Sequence, residues 1–300
     1  MHDVSPIDSP EPRVSSSDEG HVASTLTTRD GHTLAVRTFH PPVARPRAVL
    51  VIASATAVPQ RYYRHFAAWM AAAGWRVLTF DYRGTGDSRP RSLRGFDASM
   101  REWGEEDLEA VVQHALAGAG GLPVQLVGHS FGGQALALAP SSSRLERAFL
   151  VGSQATPIPH WGWGARLRFL PMLYGVGPVV GAVAGYYPGW LGLSEDLPCG
   201  VMDEWTRWLR STNYLFDHVA EARERARAVV ARLRFLALTD DEYAPVAAVR
   251  DLAGFFDAER TDVQVVSPAD RGVKAIGHFG FFRPSMRDVL WAEAKEFLGE

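Results

Sequence analysis

The stretch 124–139 constrains the fold of this chain most, because it predicts a strand, a sharp turn and a helix in immediate succession. An apolar run at 124–127 enters a Gly-x-Ser-x-Gly motif, and a small-residue segment leaves it with helical character. Gly128 and Gly132 are required because a Cβ at either position would collide with the neighbouring strand and helix. Such a motif also occurs by chance, but here it lies in the strand–turn–helix setting that it needs. The turn lifts the hydroxyl of Ser130 clear of the sheet, which makes Ser130 the candidate nucleophile.

Apolar runs alternate with helical patterns along most of the chain. The run 48–52 is apolar throughout, as expected of a parallel strand that is buried on both faces. The pair Asp30-Gly31 favours a tight turn between two strands within 25–39. Further strands are predicted at 77–80, 148–151, 235–238 and 263–266, and helices at 62–73, 105–119 and 286–298. The alternation predicts an α/β fold class, with a mostly parallel central sheet that helices cover on both faces.

The composition is that of an ordinary globular protein. The 300 residues, of which 46% are hydrophobic, suffice for one sizeable core. The formal net charge of −3 offers no electrostatic footprint for nucleic acid, so nucleic acid is not expected as a partner. The single cysteine, Cys199, excludes an intramolecular disulfide and has no His or Cys neighbour at metal-ligand spacing. No metal or organic cofactor is implied by the sequence.

The predicted domain organisation has three parts. Residues 1–22 are polar and lack the apolar core of a secretory signal, so we expect a disordered tail and a cytoplasmic protein. Residues 23–153 and 233–300 carry the alternating pattern and form the predicted core. Residues 154–232 break the pattern and are predicted to form an inserted cap.

The inserted stretch contains an uncharged run at 169–194 that is long enough to span a bilayer. Its many glycines and prolines make a poor continuous helix, and a spanning segment would interrupt a soluble core. A cap whose apolar face covers Ser130 is the preferred interpretation, and a membrane is not expected as a partner.

Four motifs resemble those of the α/β-hydrolase superfamily, and the resemblance extends from about residue 24 to the C-terminus. They are GHSFGG at 128–133, TFDYRGTGDS at 79–88, DDEYAP at 240–245 and GHFGFFR at 277–283. The last two are similar to motifs of a group of bacterial predicted serine hydrolases. The resemblance implies an α/β-hydrolase fold with an inserted cap and a serine–acid–histidine triad, and it does not specify a substrate.

The superfamily places its triad in the chain order serine, acid, histidine. The resemblance assigns the base to His278, the only histidine after Asp241, in a glycine-flanked loop. Asp240 and Asp241 both follow the predicted strand 235–238. The Asp-x-x-x-Pro spacing to Pro245 favours Asp241 as the acid and leaves Asp240 as the alternative.

Two backbone N–H groups are expected to form an oxyanion hole. One belongs to Phe131, the residue after the nucleophile. The other is assigned to Thr56, because Ser54-Ala55 take the place of the His-Gly pair that many relatives carry after the corresponding strand. The hydroxyl of Thr56 either contributes to the hole or caps the loop.

Aromatic side chains are expected to contact the substrate. The predicted substrate-binding residues are Trp161, Trp163, Tyr186 and Phe279. Trp205, Trp208 and Leu209 have helical spacing and are interpreted as core of the cap rather than as a binding site. His129 either lines the pocket or packs beneath the turn.

These features predict a serine hydrolase that cleaves a carboxylic ester of an apolar small molecule through an acyl-enzyme on Ser130. An acyltransferase or thioesterase-like biosynthetic enzyme would use the same triad, and a binding module without catalysis would keep the same fold. A small-molecule acyl substrate is the expected partner of either enzyme, and the oligomeric state stays open.

Overall fold

The computed structural model describes residues 15–16 and 20–300. The predicted tail at 1–22 therefore lies largely outside the described residues and stays a prediction. Within that stretch, Ser15–Ser16 forms a two-residue strand that pairs antiparallel with Val22 and Ala23.

A nine-stranded sheet forms the centre of the structure. Ser15–Ser16 lies at one edge of it, and eight longer strands complete it: β1 (Val22–Thr27), β2 (Thr33–Phe39), β3 (Val49–Ala53), β4 (Arg76–Phe80), β5 (Val124–His129), β6 (Arg147–Val151), β7 (Arg232–Leu238) and β8 (Thr261–Val266). Their order in the sheet is β1-β2-β4-β3-β5-β6-β7-β8. β2 pairs antiparallel with both of its neighbours, and β3 to β8 are parallel to one another. The predicted fold class is confirmed.

Helices cover both faces of the sheet because residues of β3 alternate between two apolar clusters. Val49 and Val51 pack into the cluster that contains Val111 of the helix after β4. Leu50 and Ile52 pack into the other cluster, which contains Phe66 and the C-terminal aromatic residues. The strand is therefore buried on both faces, as its apolar sequence predicts.

The α-helices are α1 (Arg64–Ala72), α2 (Met100–Glu102), α3 (Glu109–Gly118), α4 (Phe131–Gln134), α5 (Trp163–Pro171), α6 (Gly177–Ala184), α7 (Cys199–Leu209), α8 (Ala222–Ala228), α9 (Val246–Ala253), α10 (Gly277–Gly280) and α11 (Arg287–Gly299). A π-helical stretch, Trp103–Leu108, joins α2 to α3, and another, Met172–Val176, joins α5 to α6. α1 and α11 lie on one face of the sheet, and α3 lies on the other.

The inserted segment, residues 152–231, lies between β6 and β7 and carries α5 to α8. The expectation that glycine and proline prevent a continuous helix in 169–194 is wrong as far as Ala184, since Trp163–Ala184 is helical over 22 residues. The remainder of the run is not part of this helix, which ends at the left-handed Gly185. The π turn is stabilised by Tyr187, whose hydroxyl donates to the carbonyl of Met172 at 2.7 Å. Gly177 is required for this contact, because a Cβ there would lie 1.3 Å from Tyr187 Oη.

The helix Trp163–Ala184 is also the one helix, among the residues that the structure describes, that is long and apolar enough to cross a membrane by length and composition alone. Only 17% of its most apolar part is buried in the protein.

Candidate active site

Ser130 lies at the carboxyl edge of the sheet, where β5 turns into α4. Its φ of 52° and ψ of −114° are strained for a residue with a side chain, and its N–H donates to the carbonyl of Val151 at 2.9 Å. This hydrogen bond ties the turn to the neighbouring strand β6. The strand, turn and helix thus have the arrangement that presents a serine hydroxyl above a sheet.

Three glycines around Ser130 allow the close packing of this turn. A Cβ on Gly132 would lie 2.1 Å from the carbonyl oxygen of Ala53, at the end of β3. A Cβ on Gly128 would lie 2.7 Å from its nearest neighbouring atom, and one on Gly133 would lie 2.2 Å from its own. The turn therefore depends on glycine at these positions for steric reasons.

Asp241 and His278 form a buried pair beside the turn. Asp241 Oδ2 lies 2.7 Å from His278 Nδ1, and the two side chains are 0% and 5% exposed. Asp241 Oδ1 accepts hydrogen bonds from the N–H groups of Tyr243 and Ala244, at 2.9 and 2.8 Å. The carboxylate is thereby fixed on both oxygens, and it orients the imidazole.

Gly152, which the sequence analysis missed, makes room for this pair. It has a φ of +56°, and a Cβ there would lie 3.1 Å from Asp241 Oδ2 and 3.2 Å from His278 Nδ1. Nothing in the local sequence marks this glycine, because the side chains that it faces come from distant loops.

Asp240, the alternative acid, has a different position. Its Oδ2 accepts hydrogen bonds from the N–H groups of Ile276 and Gly277, at 2.8 and 3.0 Å. Asp240 therefore holds the loop that carries His278, whereas Asp241 contacts the imidazole itself. The geometry favours Asp241 for the acid, and its catalytic role stays a prediction.

The loop after β3 brings Thr56 to the same site. Its neighbour Ala57 has a positive φ of 59°, which is strained for alanine. The N–H of Ala55 donates to Tyr63 Oη at 2.9 Å, so this amide is already engaged.

Phe131 follows Ser130 at the start of α4, and its ring packs edge-on against Tyr82. The oxyanion roles of the Thr56 and Phe131 amides stay predictions.

His129 is fully buried beneath the turn, which is the packing alternative. Its Nδ1 lies 2.8 Å from Tyr63 Oη, and its Nε2 lies 2.9 Å from the carbonyl oxygen of His278. Because the His278 carbonyl can only accept, Nε2 carries the proton, and Nδ1 of the neutral ring accepts from the Tyr63 hydroxyl. Burial, and then the nearby His278, lower the pKa of His129 well below its usual range, so the ring is neutral.

Comparison with known proteins finds one matching sequence family and many solved structures with a similar fold. A sequence family described as serine aminopeptidase, S33, matches residues 44–171. A soluble variant of monoglyceride lipase from Saccharomyces cerevisiae, solved with a substrate analogue, has 12% identity and a TM-score of 0.67, with 97% of this chain and 96% of that chain covered. The chain has the α/β-hydrolase fold.

Two bacterial structures have similar scores. An esterase from Exiguobacterium antarcticum has 15% identity and a TM-score of 0.61, with 92% of this chain and 99% of that chain covered. An enol-lactonase from Burkholderia xenovorans has 17% identity and a TM-score of 0.58, with 92% and 100% covered. At such identities these structures establish the shared fold, and no curated protein sequence matches the chain.

The family match at 44–171 and the shared fold support an enzyme of the serine hydrolase type. Ser130 and His278 line one cavity of about 100 Å³. We call this the inner cavity. Its other lining residues are Ala55, Thr56, Gln134, Gln154, Thr156, Trp161, Gly192, Leu193, Ser194, Trp205, Leu209, Tyr214, Tyr243 and Phe279. The inserted segment supplies much of this wall, including Trp205 and Leu209, which the sequence analysis interpreted as core of the cap.

The predicted substrate-binding residues divide into two pairs. The structure places Trp161 and Phe279 on the wall of the inner cavity. Trp163 and Tyr186 lie neither on this wall nor on that of the adjoining cavity around Phe169 and Met172, and their contact with a substrate stays a prediction. Trp163 is 77% exposed beneath the guanidinium of Arg166, and Tyr186 contacts Arg89. Both pairs consist of large aromatic residues, so residue type does not distinguish them. Only the packing of the inserted segment decides which of the four face the inner cavity.

An outer cavity of about 270 Å³ adjoins the inner one. The two cavities share Trp161, Gly192, Leu193, Trp205 and Tyr243. The remaining outer wall is mainly apolar and consists of Arg168, Phe169, Met172, Leu173, Tyr187, Trp190, Leu191 and Met202.

The inner cavity also contains unpaired hydrogen-bonding groups. Gln134 Oε1, Gln154 Oε1, Thr156 Oγ1 and Trp161 Nε1 are buried and have no hydrogen-bond partner within the described chain. All four residues line the inner cavity. Buried polar atoms are costly without a partner, so these groups are suited to a polar part of a ligand.

Among the described residues, no three His, Cys, Asp or Glu side chains are arranged so that they could hold a metal ion. The predicted independence from metals and organic cofactors stays a prediction.

Proposed function

We propose that this α/β-hydrolase cleaves carboxylic esters of small molecules through an acyl-enzyme on Ser130. The observation that carries the proposal is the position of Ser130 and the Asp241-bound His278 on the wall of one cavity. The esterase and the monoglyceride lipase that share the fold support ester chemistry as the reaction class.

In the proposed mechanism Asp241 accepts a hydrogen bond from Nδ1–H of His278, which keeps Nε2 unprotonated and available as the base. His278 takes the proton of the Ser130 hydroxyl as the oxygen attacks the acyl carbonyl, and it returns the proton to the departing alcohol. The amides of Phe131 and Thr56 hold the negative oxygen of the intermediate. Water, activated by His278, then cleaves the acyl-enzyme and restores Ser130.

The two cavities suggest a substrate with two unlike parts. The apolar outer cavity accommodates an acyl chain, while the unpaired groups of Gln134, Gln154 and Thr156 bind a polar alcohol part. An ester of a long-chain acid with a small polar alcohol fits both requirements.

A fluorophosphonate probe tests the nucleophile directly. Intact mass should show a single adduct on the wild type and none on Ser130→Ala. The matched control is Ser194→Ala, because Ser194 lines the same cavity and should leave the adduct in place. A labelled Ser130→Ala protein, or folded wild type that neither reacts nor hydrolyses esters, would contradict the proposal.

Acyl transfer is the second candidate, and one observation favours it. Ser130 and His278 are both only 7% exposed, at a small cavity that the inserted segment covers, which restricts water at the acyl-enzyme. An alcohol, amine or thiol that enters with the substrate would then compete with water. Partition of the acyl group between water and added glycerol, measured on one ester, distinguishes transfer from hydrolysis.

A further inference from the structure

The outer side of the helix Trp163–Ala184 is an apolar surface. Six of the nine large hydrophobic side chains that are exposed in the described part of the chain lie on this helix or just after it. They are Trp163, Leu167, Val176, Val179, Val183 and Trp190, each between 50% and 77% exposed. We call them the docking face. Scattered exposed hydrophobic residues are ordinary, whereas a contiguous group marks an interaction surface.

The opposite side of the same helix is held by the protein. Leu173, Gly177 and Gly181 are buried, and Tyr174 Oη donates to the carbonyl of Thr206 at 2.7 Å. The helix is therefore anchored along its inner side, while the docking face is exposed.

The charged side chains of the helix itself are basic. Between residues 163 and 192 the only charged side chains are Arg166 and Arg168, and there is no carboxylate. Arg168 has one exposed partner, Glu242, at 3.6 Å. Beyond the far end, Arg94 donates to the carbonyl of Val183 at 3.2 Å. An apolar stripe with tryptophans and flanking arginines matches the boundary between lipid headgroups and acyl chains.

We propose that the docking face binds the surface of a lipid bilayer, with the helix lying in the plane of the interface. A spanning orientation would pull the helix away from Tyr187 and Thr206 and would remove the wall of the outer cavity. A second copy of the chain is less complementary than lipid, because a twofold contact through this face would bring basic ends together. Anionic lipid complements these ends.

The position of the helix links docking to the proposed reaction. Phe169 and Met172 of this helix line the outer cavity, and so does Trp190 of the docking face. A docked molecule would hold the outer cavity close to the lipid, so that an acyl chain could pass from the bilayer toward Ser130. This delivery step rests on the proposed function, whereas docking itself does not.

Flotation with vesicles tests the docking. The full chain is mixed with vesicles of phosphatidylcholine, alone or with an equal share of phosphatidylglycerol, and we expect binding that is stronger with the anionic lipid. Val179→Glu/Val183→Glu should lower partitioning about tenfold or more, since two charges would have to enter the interface. The matched control, Val43→Glu/Val230→Glu, changes two other exposed valines and should stay within about twofold of the wild type.

Hydrolysis of a soluble short-chain ester separates this proposal from the proposed function. Val179 and Val183 line neither cavity, so their variant should keep this activity while it loses vesicle binding. Equal binding by the two double variants would overturn the docking proposal. So would resistance of bound protein to an alkaline wash, which indicates a spanning helix. A wild-type dimer that the Val179/Val183 variant converts to monomer, without vesicle binding, would assign the face to a second copy instead.

Discussion

The imidazole of His129 donates a hydrogen bond of 2.9 Å to the backbone carbonyl of His278. The same ring accepts from Tyr63, which in turn accepts from the amide of Ala55. One buried chain of hydrogen bonds thus connects the loop of the proposed oxyanion hole to the loop of the proposed base. Because His129 directly precedes Ser130, the same hydrogen bonds also hold the turn of the proposed nucleophile.

Removal of the Tyr63 hydroxyl should disturb both loops at once. We expect Tyr63→Phe to fold and to lose about tenfold or more in kcat, with a smaller change in KM, because the Ala55 amide and His129 Nδ1 both lose their partner. Steady-state kinetics on a soluble ester provide the measurement. Tyr174→Phe removes one hydroxyl hydrogen bond in the inserted segment and serves as the control. Equal losses in the two variants would argue against the restraint.

Asp240 and Asp241 provide a matched pair of substitutions. Asp241→Asn should lower kcat by about 10⁴, since the amide would hold His278 in the wrong tautomer. Asp240→Asn should cost far less, because it weakens two backbone contacts of the loop rather than the imidazole contact. Rates of ester hydrolysis and of fluorophosphonate labelling both report this order. The reverse order would assign the acid to Asp240.

Comparison of Gly152→Ala with Gly272→Ala should separate the effect of crowding at the Asp241–His278 pair from the effect of backbone strain. Alanine at the positive φ costs about 1–2 kcal/mol of unfolding free energy. The new Cβ would also press on the Asp241–His278 pair. Gly272→Ala is the control, since Gly272 has a φ of +66° and no atom within 4 Å of such a Cβ. Both variants should lose stability in denaturant titrations, and Gly152→Ala alone should lose activity. A fully active Gly152→Ala enzyme would show that the pair tolerates displacement.

The neutral state of His129 predicts a pH dependence of stability. Its pKa is well below 6.5 in the folded protein, so the unfolded chain binds the extra proton as the pH falls below that value. The contribution of His129 is therefore complete above about pH 6.5 and is lost below it, at up to about 1.4 kcal/mol per pH unit.

Denaturant titrations from pH 7.5 to 5 (~2.5 units around the histidine pKa) measure this slope. His129→Gln should make it shallower than in the wild type, whereas His65→Gln, on the exposed side of α1, should keep it. Parallel curves for His129→Gln and the wild type would contradict a neutral, buried His129.

The sequence alone determined the sheet, its two helical layers and the Gly-x-Ser-x-Gly turn around Ser130. These follow from apolar periodicity and from short motifs whose residues contact one another locally. The assignment of Asp241 as acid and His278 as base depended on the resemblance to known hydrolases. The structure then distinguished Asp241 from Asp240 by their hydrogen bonds.

Only the tertiary structure decided which aromatic residues face the cavity. Trp161 and Trp163 are two positions apart, yet one lines the inner cavity and the other is exposed on the docking face. Likewise, Gly177 breaks a helix by local propensity, but the contact between Tyr187 and Met172 keeps this helix continuous. Such outcomes depend on side chains that are distant in sequence and meet only when the inserted segment packs on the sheet.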